Sequence, residues 1–384
     1  MWVLMKYIYQ KTFRYFAQAA DDIKDLAERE LAELGATGIK SAYRGLYFTA
    51  NQKALYAINF HARLPNRILA PLLTFDCHSD KYLYQTALKF PWMDFLDSTK
   101  TFAIFASVSH SKITHSKFAA LRLKDAIVDA FKSREGKRPS VDTRDPDVWF
   151  NLHIENNRAT ISLDTSGGSL HKRGYRKHSV EAPMIETLAA AVIRLSGWDG
   201  KTPLIDPFCG SGTLLCEAYL AASRMPSARL RQKFGFQVLP DYNEKLWEKI
   251  KKDGLGRIQS VPAGLIAGSD MSKDAIKAAK YNCTNLDANH TIRISQKDVF
   301  DLDSIENSTI VCNPPYGIRM NQGADLSAFY KQFGDFLKQR CTGSTAYIYF
   351  GDRAYIKKIG LKPSWKRPLQ NGGLDGRLVK YELY

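Results

Sequence analysis

The chain has 384 residues, 45% of them hydrophobic, 24% charged and 12% aromatic, which excludes a disordered chain and gives length for two or three domains. Its 55 Lys and Arg against 39 Asp and Glu leave a net charge of +16, so a polyanion is an expected partner. No apolar run reaches the roughly 20 residues of a membrane span, and Cys77, Cys209, Cys216, Cys283, Cys312 and Cys341 include no CxxC pair and no neighbouring His cluster, which excludes a structural zinc site and a disulfide scaffold.

The best N-terminal apolar stretch, Met1 to Phe16, is broken by Lys6, Lys11 and Arg14. It lacks the small-residue cleavage pattern of a signal peptide. Met1 to Leu4 read as leader residues before a natural start at Met5. Free thiols without an export signal point to a reducing cytoplasm.

Residues 1–60 read as strand, helix, strand. Tyr7 to Tyr15 is aromatic-rich and β-prone. Ile23, Leu26, Leu31 and Leu34 share a helical period over Asp21 to Leu34, with Gly35 as C-cap. Gly45 to Thr49 resumes a strand.

Residues 61–166 repeat an α/β mixture. Leu83 to Leu88 is a short helix, Thr101 to Ser109 a strand and Ser116 to Phe131 a helix. Asp147 to Asn156 and Arg158 to Asp164 form a hairpin around Asn156-Asn157. Gly167-Gly168 reads as a joint.

Residues 167–384 alternate strands and helices, which predicts a mostly parallel sheet. Strands are expected at Pro203–Asp206, Gly264–Ser269, Thr291–Ser295, Ser308–Cys312 and Ser344–Phe350. Helices are expected at Thr213–Ala222, Lys273–Leu286 and Leu326–Lys338. The polar stretch 225–262 interrupts this rhythm and reads as a helical insertion.

Two motifs carry chemistry. Asp206-Pro207-Phe208-Cys209-Gly210-Ser211-Gly212-Thr213 follows an apolar strand and opens a helix. Its glycines allow a tight turn and close approach of backbone to a ligand. Leu215 stands where the dinucleotide fingerprint needs its third glycine, and no Gly-Lys-Ser/Thr supplies a phosphate-anchoring lysine.

The second motif, Asn313-Pro314-Pro315-Tyr316-Gly317, follows another apolar strand. The prolines stiffen the chain and remove two N–H donors. The Asn313 amide oxygen and the Pro314 carbonyl can then both accept from one exocyclic amine. Tyr316 offers a face on which a base can stack.

Together these motifs resemble the S-adenosylmethionine-dependent amino-methyltransferases. The resemblance implies a Rossmann-like class I methyltransferase domain of the α/β class. It places Asp206, Pro207, Phe208, Cys209, Gly210, Ser211, Gly212, Thr213, Asp270, Asp298 and Asn313 around S-adenosylmethionine, Asp270 on the ribose and Asp298 at the adenine. Asn313, Pro314, Pro315 and Tyr316 become the catalytic group. No metal is required, because the sulfonium is already activated and positioning does most of the remaining work.

The N-terminal half sharpens the family. Phe102 to Phe131 resembles a THUMP domain, an RNA-binding module, and residues 1–60 resemble the α+β ferredoxin-like domain that precedes it. The expected division is therefore 1–60 ferredoxin-like, 61–166 THUMP, and 167–384 methyltransferase. Leu170 to Arg176, followed by Ala182-Pro183, resembles the bacterial THUMP methyltransferases that make N2-methylguanosine in 23S ribosomal RNA. So do Phe234-Gly235-Phe236, Leu246-Trp247 and the ending Leu369 to Leu378.

Two residues depart from that pattern: Ile318 where an acidic residue is common, and Gln370 where the family has tyrosine. The resemblance implies RNA as partner and one modification, since the chain ends at Tyr384 after one methyltransferase domain. Basic charge is spread over both halves, with 27 basic and 18 acidic residues in 1–180 and 28 and 21 in 181–384. This distribution suits a surface following a phosphate backbone. Lys172, Arg173, Arg176 and Lys177 are the candidate phosphate contacts. Adenine-N6 methylation of nucleic acid, a guanine in transfer RNA, and an RNA-binding assembly factor with a vestigial methyltransferase domain stay open as alternatives.

Overall fold

The computed structural model describes residues 6–179, 183–316 and 326–384. It divides into two compact units. The first comprises residues up to 19, 28–170 and 231–252, and the second comprises 20–27, 171–230 and 253–384.

From the N-terminus the elements are α1 (Ile8–Thr12), β1 (Arg14–Gln18), α2 (Lys24–Glu33), β2 (Thr37–Ala42), β3 (Gly45–Thr49), α3 (Gln52–His61), β4 (Arg67–Asp76) and α4 (Asp80–Leu88). They continue with β5 (Thr101–Ser109), α5 (Ser116–Glu135), β6 (Ser140–Val141), β7 (Val148–Glu155) and β8 (Arg158–Asp164). Their strands form one sheet in the order β2-β3-β1-β4-β8-β7-β5-β6. The pairings are antiparallel except β5 with β6 and with β7. The segments 1–60 and 61–166 therefore share a sheet, with β4 pairing β1 on one side and β8 on the other.

The stretch Tyr7–Tyr15 is not one strand. Gln10 Oε1 accepts from the Lys6 and Tyr7 backbone N–H groups at 2.9 and 3.1 Å, which caps a helical turn, and Phe13 ends it at φ 53°. Tyr7 packs edge-on to Phe95 at 4.7 Å, so aromatic burial there does not require strand geometry. Asn156 and Asn157 adopt φ values of 50° and 59°, the left-handed pair that a two-residue hairpin turn needs.

The segment 225–262 does not behave as a single insertion. Residues 231–252 cluster with the first unit. Phe236 stacks on Tyr56 at 4.4 Å and Trp247 meets Phe60 edge-on at 5.3 Å. The Phe236 N–H donates to Thr165 O at 2.9 Å. A Cβ on Gly235 would fall 1.8 Å from Asp164 O, so only glycine permits this close approach. Polarity by residue count concealed Phe234, Phe236 and Trp247, which bury together.

The second unit contains α6 (Glu186–Ser196), β9 (Leu204–Asp206), α7 (Thr213–Ala222), the end of α8 (Glu244–Leu255), β10 (Ile266–Asp270), α9 (Lys273–Thr284), β11 (Ile292–Gln296) and β12 (Thr309–Cys312). It closes with α10 (Ser327–Arg340), β13 (Thr345–Phe350), β14 (Trp365–Asn371) and β15 (Leu374–Glu382). The sheet order is β11-β10-β9-β12-β13-β15-β14. Pairing is parallel from β11 to β13, and β15 and β14 add antiparallel. Pro368 sits on β14, the edge strand, where its missing N–H costs no ladder bond.

Ile310, Cys312, Tyr330, Phe333, Ile348 and Phe350 are part of one buried cluster between α10 and the sheet. The strand order reverses between β9 and β12. In an open parallel sheet, ligands bind outside the carboxyl ends of the strands at such a reversal.

Candidate active site

Asp206 and Asn313 lie 107 residues apart in sequence, yet they end neighbouring strands. The β9–β12 register pairs Leu204 with Thr309 and Ile205 with Ile310. Both motifs thus emerge at the switch point. Asp206 is 1% exposed, and its Oδ1 accepts from the Phe208 N–H at 3.0 Å. The chain then turns through Gly210 at φ 51° and Gly212 at φ 81° into α7.

The end of β10 holds this turn. Asp270 Oδ2 accepts from the Gly210 N–H at 3.0 Å, while Oδ1 accepts from Ser272 at 2.9 Å. The Cys209 N–H donates to Ser269 O at 2.9 Å. Asp298 stands beyond β11 and caps a short 3-10 turn by accepting from Phe300 at 3.1 Å.

A narrow recess opens above these strand ends, lined by Pro183, Met184, Asp206, Phe208, Cys209, Gly210, Ser211, Thr213, Leu214 and Asn313. The donor set suits an amino-acid nucleoside. Backbone N–H groups at the start of α7 can meet a carboxylate, and Asp206 can meet an ammonium or hydroxyl group. Of the expected cofactor residues, Pro207, Gly212, Asp270 and Asp298 are not among the lining residues. A Cβ on Gly212 would lie 3.2 Å from the Ala279 Cβ of α9, so this glycine allows helix-to-turn packing. Gly212→Val would strain the fold as well as the ligand site.

Asn313 is 4% exposed and lines the recess. Behind it, the Tyr330 hydroxyl donates to Pro315 O at 3.0 Å, and Tyr330 stacks on Tyr355 at 4.7 Å. The Tyr316 ring is buried. A Cβ on Gly351 would fall 2.7 Å from three of its ring atoms. The open stacking platform expected of Tyr316 is thus closed in this arrangement by its packing on the Gly351 backbone. Gly317, Ile318 and Arg319 lie outside the described residues.

The four basic residues of the joint divide into two pairs. Lys172 and Lys177 are exposed. Arg173 is buried and ion-paired through Nε to Glu217 Oε1 at 3.3 Å, and the Tyr175 hydroxyl donates to the same oxygen at 3.0 Å. Arg176 pairs with Glu186 at 3.0 Å and donates to Met184 O at 2.7 Å and Thr213 Oγ1 at 3.0 Å. The two arginines were expected to hold phosphates; their charge is instead spent inside the protein, because α6 and α7 each place a carboxylate on a buried face. Burial raises the Glu186 pKa, and Arg176 opposes that shift.

All four basic residues still line one open recess with His171, Gly174, Ser179, Pro183, Ile185 and Glu186. Pro183 belongs to both recesses.

Sequence reading missed Glu217, Glu186 and Asn282. The signal for Glu217 was its place among Leu214, Leu215 and Ala218 on an apolar helix, where a carboxylate demands a cation. Gln370 lies in β14, its backbone N–H bonded to the Asp22 carboxylate. The next residue, Asn371, accepts from the Ile185 N–H at 3.3 Å through its side chain, beside the recess wall. Among the described residues there is no cluster of metal-ligating side chains and no helix long and apolar enough to cross a membrane.

Residues 14–69 match the RlmL ferredoxin-like domain, 77–164 the THUMP domain and 173–380 the RMKL-like methyltransferase domain. A Synechocystis protein with a provisional RNA-methyltransferase name is 38% identical over 96% of this chain and 97% of its own. A Syntrophotalea carbinolica protein named ribosomal RNA large subunit methyltransferase K/L is 34% identical over 96% of this chain. The match spans 53% of that longer protein.

Among solved structures, SMU.472, described provisionally as a methyltransferase and complexed with SAH, superposes with a TM-score of 0.83 at 25% identity, covering 97% of this chain and 98% of that one. A Listeria monocytogenes protein, assigned by inference as an N6-adenine-specific DNA methylase, gives 0.82 at 25% identity over 97% and 96%. The chain belongs to the RMKL-like methyltransferases that carry THUMP and RlmL-type ferredoxin-like domains, and its methyl donor is S-adenosylmethionine.

Proposed function

We propose that this enzyme methylates the exocyclic N2 amine of a guanosine in RNA, with 23S ribosomal RNA as substrate. The observation that carries the reading is the meeting of Asn313 with the glycine turn in one recess at the switch point. The name of the Syntrophotalea relative supports the ribosomal target. The THUMP match supports RNA as the polymer. The six free, buried cysteines fit a reducing cytoplasm.

S-adenosylmethionine, when bound, supplies a methyl group on a sulfonium that needs no further activation. The turn from Asp206 to Thr213 would hold it, with Asp270 on the ribose and Asp298 at the adenine. Asn313 Oδ1 and the Pro314 carbonyl accept the two amine hydrogens and aim the nitrogen lone pair at the methyl group. They also stabilise the positive charge that develops on the amine. Pro314 and Pro315 keep that backbone from relaxing. Tyr316 serves as a stacking partner once its ring turns from Gly351 toward an extruded base. Lys172 and Lys177 hold phosphates of the same strand.

The test is nucleoside mass spectrometry on ribosomal RNA from cells with and without the protein, joined to methyl transfer from labelled S-adenosylmethionine in vitro. Loss of one N2-methylguanosine supports the reading. Loss of N6-methyladenosine instead would favour the adenine reading, for which the Listeria neighbour's name is the specific support. An assembly factor without activity would bind RNA yet fail to bind S-adenosylhomocysteine by calorimetry.

A further inference from the structure

The segment 171–179 lines the basic recess and lies beside the glycine turn without belonging to any helix or strand. A free segment of this kind would ordinarily be loose. Here it is held by side chains of α9. Asn282 is completely buried. Its Oδ1 accepts from the backbone N–H groups of Lys177 and His178 at 3.0 and 3.2 Å. Its Nδ2 donates to His178 O at 2.8 Å and to Ser211 O at 3.0 Å.

These are two donated and two accepted bonds, so both hydrogens and the oxygen of the amide are engaged. Three of the bonds fix the basic segment, and the fourth fixes the glycine turn of the donor recess. One helical turn on, Asn285 donates to Tyr175 O at 2.9 Å. One turn back, Ala279 packs under Gly212. The same face of α9 therefore backs both the turn that meets the cofactor and the backbone that carries Lys177.

We infer that Asn282 is a positioning residue that couples the two recesses, so that binding of the methyl donor and binding of RNA phosphates strengthen one another. This inference rests on the functional reading above. Its physical basis is shared ordering. Whichever ligand arrives first restrains Ser211 or Lys177 further, and the amide transmits that restraint to the other side, so the second ligand meets a segment with less freedom left to lose. Coupling is reciprocal by thermodynamic necessity. An aspartate could not substitute, because it keeps the acceptors but sets a buried carboxylate against two carbonyl oxygens.

The experiment uses the full chain, S-adenosylhomocysteine and transcribed 23S ribosomal RNA. Calorimetry gives the affinity for S-adenosylhomocysteine with and without saturating RNA. The wild-type affinity should rise by about 5-fold or more with RNA, the lower end of ordinary coupling. In Asn282→Ala, with an unchanged circular dichroism spectrum, that factor should fall to near one. A folded Asn282→Ala chain that keeps the wild-type factor, or a wild-type factor of one, overturns the inference.

A second measurement needs no variant. Hydrogen exchange in the wild-type peptide covering residues 171–179 should slow when S-adenosylhomocysteine alone is added. Unchanged exchange there overturns the inference even if Asn282→Ala fails to fold. Absence of binding of either ligand by the wild-type chain would overturn the functional reading itself, and this inference with it.

Discussion

The two sheets of this protein solve different problems. In the first unit most neighbouring strands run antiparallel, and the β7–β8 hairpin closes through two asparagines. In the second unit the central strands run parallel, and their order reverses between β9 and β12. Parallel strands point the same way, so their carboxyl ends collect along one rim. That rim gathers Asp206, Asp270, Asp298 and Asn313, residues spread over more than a hundred positions. The antiparallel sheet has no such rim, and its expected contribution is surface for RNA.

The second unit is most vulnerable at its buried ion pair between Arg173 and Glu217. Arg173→Ala removes the ion-pair partner of the fully buried Glu217 and leaves it only the Tyr175 hydroxyl, which should cost about 3–5 kcal/mol of stability. Chemical denaturation of the variant measures this. A merely weaker RNA affinity with unchanged stability would return Arg173 to the phosphate-binding set.

Asn313→Ala should leave the affinity for S-adenosylhomocysteine and for RNA nearly intact while turnover falls about 10²–10³-fold, the scale of losing one preorganised polar group at a reacting centre. Single-turnover methyl transfer reads the effect. Near-normal rates would remove the chemistry from the β12 end of the rim.

The first unit is tested by RNA binding to a fragment. Because Phe236 and Trp247 pack on Tyr56 and Phe60, a fragment of residues 1–170 should be unstable unless residues 231–252 are fused to it. The fused fragment should bind RNA with a log K against log salt slope of roughly −0.7 per single-strand phosphate contacted. No binding by a folded fused fragment would confine RNA recognition to the second unit.

The smallest effect belongs to the exposed lysines. Lys172→Gln with Lys177→Gln should weaken RNA affinity without changing thermal stability, and should reduce the salt slope by about one or two contacts. An unchanged slope would show that the recess they line is not on the RNA path.

Much of this was legible in the sequence. A glycine turn after an apolar strand and an Asn-Pro-Pro-Tyr after another carry their local geometry with them, because Gly opens the left-handed backbone region and Pro fixes φ wherever they occur. The βαβ rhythm fixed the class of sheet, and Asn156-Asn157 fixed a hairpin. What no local pattern contained was which partner each side chain would meet. Arg173 and Lys172 are adjacent and both cationic, yet only Arg173 turns inward, because α7 presents Glu217 there. Tyr316 became a packed ring because Gly351, 35 residues later, left room for it. The aromatics of 231–252 joined the first unit because Tyr56 and Phe60 offered apolar surface. Backbone restrictions act within a few residues and are written in sequence. Burial and charge pairing are decided between distant residues, and only the tertiary structure brings those together.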